Sequence, residues 1–280
     1  MLLVPYTHMY LAIDIGGTKT LLAVFTEAGE IRQKFKFPTP KVYDDFVIEL
    51  GAAIRSLGDI DFKAACVASP GLIDREEGIG VAFGNLPWDN VPLGPDIEKM
   101  INAPVIVEND AKLAGLSEAL LVKDRFNRVM YITISTGIGV GVVKDGRIDP
   151  DFLLNEGGKM LLEHNGRLMP WEDFASGRAI KKKYHMFASE INDATIWKAV
   201  ARNISVGLFA HLSIIQPEAV IVGGSIGTHL PKYEKYLNEH LHKYEIPLVP
   251  IPPILMAQRP EEAVIYGAYE LARDRFSHGA

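Results

Sequence analysis

The stretch "LAIDIGGTKTLLAVF", residues 11–25, decides how this chain is to be read. An apolar run ends in Asp14, breaks over Gly16, Gly17, Thr18, Lys19 and Thr20, and resumes at once as a second apolar run. A strand that only fills a core gains nothing from an acid at its end and loses rigidity at two glycines. The pattern therefore predicts a tight β-hairpin with something seated over its turn. Glycines let backbone amides approach a phosphate, and Thr18, Lys19 and Thr20 can donate further bonds. Asp14 can hold Mg²⁺, usually through water, because that ion favours a carboxylate plus phosphates and retained waters. The same residues also suit a plain hairpin turn with Asp14 as a local cap. The turn is neither a Walker A loop nor GxGxxG, so those two nucleotide folds drop out.

The pattern returns further along. "VMYITISTGIGVGVVKDGRI", residues 129–148, again reads as strand, glycine-containing turn, strand, short turn and third strand start. Its first turn carries Ser135, Thr136, Gly137 and Gly139, and its second, "KDGR", matches "EAGE" at 27–30 as a glycine turn preceded by an acid. Two lobes built on one plan would produce this echo, and two such turns facing each other would clasp a polyphosphate chain. Ser135 and Thr136 equally suit strand-end hydroxyls turned to water. A third glycine stretch, "IVGGSIG", ends a strand at Gly223, Gly224 and Ser225, where bare backbone permits close approach of a flat nucleoside or simply makes a packed strand-to-helix turn.

Between the echoes lies α/β material. Val42, Phe46, Leu50, Ile54 and Leu57 recur at helical spacing over residues 41–57, while "KAACVASPG" and "APVIVEND" are short apolar runs ending in glycine or acids. A helix is predicted just after Asp110. The second half predicts a helix from about Thr195 to Ile215, strand "AVIVGG", a helix over "PKYEKYLNEHLHKY", strand "PILMA" and a last helix from Glu261 to about Arg275. The expected lobes are residues 1–115 and 116–280, with the boundary between Asn109 and Val122 and the last helix crossing back.

Composition bounds the function. The 280 residues are 48% hydrophobic and 23% charged, an ordinary globular composition. A net charge of -6 argues against a nucleic-acid partner, which calls for a basic face. The single cysteine, Cys66, excludes an internal disulfide framework and any CxxC zinc site; its apolar neighbours predict a buried core thiol in a reducing, cytoplasmic setting. "MLLVPYTHMY" lacks the basic start and long apolar centre of a signal peptide, and no apolar run approaches the ~20 residues of a membrane helix.

The order DIGGTKT (14–20), SPG (69–71), GNLPW (84–88), VEND (107–110), STGIGVG (135–141), EGGK (156–159), WEDFASG (171–177) and VGGS (222–225) resembles the ROK family of repressors and sugar kinases, over nearly the whole chain. The resemblance implies the two-lobed actin-like ATPase, or ribonuclease H-like, α/β fold with a duplicated βββαβαβα core, and an ATP-dependent hexose kinase working in the interlobe cleft. It implies Asp110 as general base, where its position alone suits a helix N-cap equally well. It further implies sugar contacts from Asn85, Asn109, Glu156 and Glu172, closure of the lobes on the sugar, and a homodimer. Carboxylates suit adjacent hydroxyls because each oxygen accepts its own O–H.

The chain departs from the family at two places. The family's ExGH is here Glu156-Gly157-Gly158-Lys159, and the cysteine-rich zinc segment that follows is replaced by "MLLEHNGRLMPWED", without a thiolate. One histidine, His164, does not make a four-ligand zinc site and reads as a surface residue. Lys159 donates but cannot accept, so it either touches the sugar, which would favour a hydroxyl-rich or acidic one, or pairs with a neighbouring acid. The run Lys181–Lys183 reads as a solvated helix face. The shortened form is similar to the family's polyphosphate-dependent glucokinases, so the donor stands open between ATP and polyphosphate. A sugar-binding regulator without catalysis is the remaining alternative; with only about ten residues before the first strand, a DNA-binding helix-turn-helix is not expected.

Overall fold

The computed structural model describes residues 8–276, and most of the opening segment that the sequence excludes as a signal peptide lies outside them. The chain divides into two compact units: the residues up to Ser117 together with those from Glu262 onward, and Glu118–Glu261.

The first unit begins with the antiparallel meander β1 (Met9–Ile15), β2 (Lys19–Phe25) and β3 (Ile31–Pro38). Helix α1 (Tyr43–Ser56) leads to β4 (Phe62–Ser69), parallel to β1. A small antiparallel sheet follows, β5 (Leu72–Asp74), β6 (Ile79–Ala82) and β7 (Asp89–Val91), then α2 (Leu93–Ile101) and β8 (Val105–Asn109), parallel to β4, and α3 (Asp110–Leu120). The main sheet has the order β3-β2-β1-β4-β8. Period-2 alternation sends Leu11, Ile13 and Ile15 against Phe46, Leu50 and Ile97 of α1 and α2. Tyr10 points to the other face, where Tyr269 of the helix Ala263–Phe276 meets it edge-on and stacks on Phe25 at 4.7 Å. With both faces covered, β1 and β4 read as continuous apolar runs.

The second unit repeats the plan. Strands β9 (Arg128–Ile134), β10 (Ile138–Lys144) and β11 (Arg147–Ile148) form the meander. Then come β12 (Leu161–His164), β13 (Arg167–Pro170), α4 (Glu172–Ala175), α5 (Gly177–Tyr184) and α6 (Ala194–Ile215). The chain continues through β14 (Ala219–Gly223), α7 (Gly224–Gly227), α8 (Leu230–His242) and β15 (Ile254–Met256). The order β11-β10-β9-β14-β15 matches the first sheet strand for strand, so the fold is the duplicated α/β arrangement the two hairpin echoes predict. Asp193 caps α6 by accepting from the Thr195 amide at 2.7 Å, and Gln216 in the left-handed region ends it before Pro217. Cys66 lies fully buried in β4, where burial pushes its thiol pKa up and keeps it inert.

The segment that replaces the family's cysteine-rich region is the β12–β13 hairpin. Its turn, Asn165-Gly166, has φ of 54° and 78°, the geometry an Asn-Gly pair supplies at low cost. His164 is half-buried and stacks flat on Phe174 at 4.3 Å. It therefore packs, where the sequence suggested only a surface residue.

Candidate active site

Parallel pairing of β1, β4 and β8 brings three strand ends to one level: Asp14 pairs with Ala68, and Ala68 with Glu108. Asp110 begins α3 immediately beyond, so two acids separated by 96 positions share one edge of the sheet. Their proximity is electrostatic as well. Burial first, and then the Asp110 carboxylate, raise the Asp14 pKa from 3.8 to about 7, against the opposing pull of Lys19 and Lys36.

Beside this pair lies the first glycine turn. Its carbonyls are all occupied: Gly16 accepts from the Thr39 hydroxyl (2.8 Å), Gly17 from the Lys41 ammonium (2.6 Å), Thr18 from the Thr39 amide (3.1 Å) and Lys19 from the Gly16 amide (3.0 Å). With these dipoles satisfied inside the unit, no open carbonyl at the turn repels an incoming anion. Lys41 adds a positive charge that the sequence reading missed, because nothing in "TPKVY" links residue 41 to residue 17. A Cβ on Gly17 would fall 2.8 Å from the Asn85 Cβ, so only glycine lets the GNLPW loop lie against the turn. Trp88 anchors that loop, donating its indole N–H to the Lys41 carbonyl and packing on Phe46 at 4.7 Å.

The VEND motif divides its labour among neighbours. The Asn109 side-chain oxygen accepts from the amides of Ala111 (3.0 Å) and Lys112 (3.4 Å), so Asn109 caps α3. Asn109 and Asp110 thus share the first turn of α3, whose N-terminus favours the negative charge of Asp110. Its Oδ1 accepts from the Ala111 amide at 2.8 Å. Buried Glu108 takes a two-pronged bond from Arg75, at 2.9 and 2.6 Å, and accepts the Asn109 amide at 2.7 Å. The strand end is thus held rigidly. Arg75 too is a residue the sequence did not single out.

In the second unit the β9–β10 turn borders a cavity of about 820 Å³. Ser135, Thr136, Gly177, Arg178, Gly224 and Ser225 line it, with Lys181, Phe187, Ile226 and Pro260. Gly224, at φ 76°, holds a left-handed conformation that glycine adopts without strain. Gly137, Gly139 and Gly223 are not among the lining residues. Gly137 packs on Glu172, Gly139 pairs with Thr133 inside the hairpin, and Gly223 lies against Tyr131. Lys181 leaves the solvated-face reading of its run: it lines the cavity with its ammonium 4.0 Å from the Phe187 ring centroid. Buried Glu118 fixes the loop that reaches this wall by accepting the amides of Gln258 (2.8 Å) and Arg259 (2.6 Å).

The remaining candidates surround α4. Glu172 is buried, and Lys159 donates to its Oε1 at 2.6 Å, with Arg178 at 3.4 Å from the same oxygen and the Ile138 amide 3.3 Å from Oε2. Trp171, fully buried, sets the helix by donating to the Asn203 carbonyl at 3.2 Å. Glu156 is exposed. Of the two fates open to Lys159 in the sequence, pairing with an acid is realised, and the acid is Glu172.

Among the described residues no cluster of three or more His, Cys, Asp or Glu side chains is arranged to hold a metal, and no helix is long and apolar enough to cross a membrane.

Two α/β units of identical strand order, each with a hydroxyl-and-glycine turn after its first strand, define the class of two-lobed actin-like ATPase folds. Within it, the chain belongs to the ROK family, whose profile matches residues 10–275. It is 26% identical to a glucokinase of Streptomyces coelicolor, over 94% of this chain and 97% of that one. An N-acetylmannosamine kinase of Vibrio cholerae is 28% identical, over 86% and 93%. A ROK family glucokinase from Streptomyces griseus, solved in complex with glucose and AMPPNP, superposes with a TM-score of 0.80 at 26% identity, covering 95% of this chain and 99% of the other.

Proposed function

We propose that this chain is a cytoplasmic sugar kinase that moves the γ-phosphoryl group of ATP to the C6 hydroxyl of a hexose or N-acetylhexosamine, with Asp110 as general base. The observation that carries the reading is the carboxylate pair Asp14–Asp110 beside a turn whose carbonyls are all satisfied. Phosphoryl transfer asks for little covalent chemistry from a protein: a base to receive the hydroxyl proton and donors to stabilise charge on the moving group. Asp110 receives the proton at its carboxylate. The amides of Gly17 and Thr18, with Lys19 and Lys41, hold the phosphates, and the Gly16 amide closes the turn on the Lys19 carbonyl.

Asp14 fits a magnesium site, because a partly buried carboxylate whose pKa rises to about 7 beside a second carboxylate is relieved by a cation. An ion held there with ATP would neutralise charge on the phosphate oxygens. In the second unit, Thr136, Gly224, Ser225 and the 820 Å³ cavity take the nucleoside, with Phe187, Ile226 and Pro260 as apolar walls. That cavity favours ATP over polyphosphate, which has no base to fill it. Asn85, Asn109, Glu156, Lys159 and Glu172 are assigned to the sugar.

The test is a coupled ADP-release assay over a hexose panel, with polyphosphate replacing ATP in a parallel series. Turnover with ATP that the Asp110→Asn variant loses, while sugar still binds by calorimetry, is the expected result. Absence of turnover with every sugar and either donor, beside an active control kinase, would overturn the reading.

A further inference from the structure

Arg178 stands between the cavity and Glu172. It lines the space of about 820 Å³ with Ser135, Thr136 and Gly177, and its Nη2 lies 3.4 Å from Glu172 Oε1 and 3.8 Å from Asp173 Oδ1. Among the described residues both contacts fall on that one nitrogen, which leaves the Nε–H and the Nη1 donors of the fork for another acceptor. The hold on Glu172 is also loose. Lys159 takes the same oxygen at 2.6 Å, and the Arg178 side chain is 55% exposed, where an ion pair contributes little.

A cation is otherwise out of place here. Arg178 is the second residue of α5, and a positive charge in the first turn of a helix opposes the helix dipole. The Gly177 amide bonds the Ser135 carbonyl at 2.7 Å, which ties the start of α5 to the β9–β10 turn and its hydroxyls. The dipole, the hydroxyls of Ser135 and Thr136 and the remaining donors of Arg178 therefore converge on one part of the cavity, and each of them favours an anion. The charged lining residues are Arg178, Lys181 and Glu261, so the balance is positive. Lys181 lies one helical turn further on with its ammonium over the Phe187 ring, and Arg178 is the cation beside the glycine turn.

We infer that Arg178 is a phosphate-binding residue of this cavity for which Glu172 competes, so that a nucleoside polyphosphate and the Glu172 carboxylate are coupled through one guanidinium. A phosphate that takes the remaining donors of the fork draws Nη2 away from Oε1 and leaves Glu172 to Lys159 and the Ile138 amide. The inference rests on the nucleotide reading of the cavity and adds a link from it to Glu172. The experiment is a double-mutant cycle on nucleotide affinity, by calorimetry on the intact protein without sugar, with AMPPNP as ligand and adenosine as the phosphate-free control. Arg178→Met is expected to weaken AMPPNP by about tenfold or more, the scale of a hydrogen bond to a charged group, and to leave adenosine unchanged. Glu172→Gln keeps an acceptor for the Ile138 amide. It is expected to tighten AMPPNP by about two- to fivefold when Arg178 is present and not at all beside Arg178→Met. Asp173→Asn, at an exposed position, is the parallel variant should Glu172→Gln fail to fold, with a smaller tightening of the same sign. Such non-additivity is a readout that a merely structural role would not give, and unchanged melting with unchanged adenosine affinity shows that the cavity survives each substitution. AMPPNP affinity indifferent to Arg178→Met, or the same effect of the acid variants in both backgrounds, would overturn the inference and leave the kinase reading intact. Failure of the wild type to bind AMPPNP would remove the nucleotide reading and the inference with it.

Discussion

The two glycine turns descend from one strand plan and have diverged in what surrounds them. In the first unit the turn at 16–19 has its carbonyls tied by Thr39 and Lys41 and stands beside the Asp14–Asp110 pair. In the second, Ser135 and Gly137 bond each other across the turn, the Ser135 carbonyl takes the Gly177 amide, and Gly137 is covered by Glu172. One turn is surrounded by ionisable groups that can take up a proton or a cation. The other is braced by α4 and α5 and opens on a cavity. The same backbone thus stands among ionisable groups in one unit and beside a cavity in the other, because the side chains that differ come from elements outside the hairpin.

The largest expected effect that would break this contrast is at Asp110. Asp110→Asn is expected to lower kcat by about 10² to 10⁴, the range for a general base, with sugar affinity retained. Equal turnover of variant and wild type would remove the chemical role from the first unit.

Asp14 sharpens the contrast through pH. Its carboxyl titrates near 7 in the folded chain against an ordinary 3.8, so the folded state holds a proton that the unfolded chain releases. The stability it contributes is complete below about pH 4 and is lost as pH rises through 7. Asp14→Asn should therefore gain on the wild type between pH 5 and 8 in the presence of EDTA, by about 1–2 kcal/mol after allowance for solvent and for coupling to Asp110. Turnover should fall in the same variant. Melting curves across that pH range check it, and a constant difference would show that Asp14 is not the titrating group.

Comparable glycine changes should fail differently in the two units. Gly17→Ala places a methyl 2.8 Å from the Asn85 Cβ, and displacement of that loop should cost about 1–3 kcal/mol, read by denaturant unfolding. Gly137→Ala places its methyl 2.6 Å from Glu172 Oε2, the end of a side chain that also anchors Lys159. Weakened sugar binding with a smaller stability loss is the expected outcome.

The smallest effect is expected at Phe187, which is exposed on the cavity wall. Phe187→Ala should raise KM for ATP by about three- to tenfold, as one aromatic stacking contact allows, without altering kcat. Equal loss with polyphosphate would argue that the ring does not meet a nucleoside.

Much of this arrangement is legible in the chain itself. Alternation in "LAIDIGG" and "VMYITIST" predicts both meanders, since period 2 with buried faces leaves few other structures. The short sheet β5–β7 was not legible, because strands of three or four half-exposed residues leave no periodic signal. The β12–β13 hairpin had one cue, Asn165-Gly166, which passed unread beside the missing cysteines. Arg75, Lys41 and Phe187 are ordinary residues in ordinary stretches. Only distant chain segments give them a role: Glu108, the Gly17 carbonyl and the cavity wall.

By itself, then, the sequence determined what depends on local pattern: the duplicated hairpins, the helices between them and the acids at strand ends. Tertiary structure alone decided which groups share a charge environment. Register across β1, β4 and β8 brought Asp14 level with the strand that leads into Asp110, and the contact of α4 with β10 set Glu172 where it holds Lys159. The physical reason is range. Secondary structure follows from neighbours within a few residues, whereas a pKa or a donor balance is set by whatever the fold places within a few ångströms.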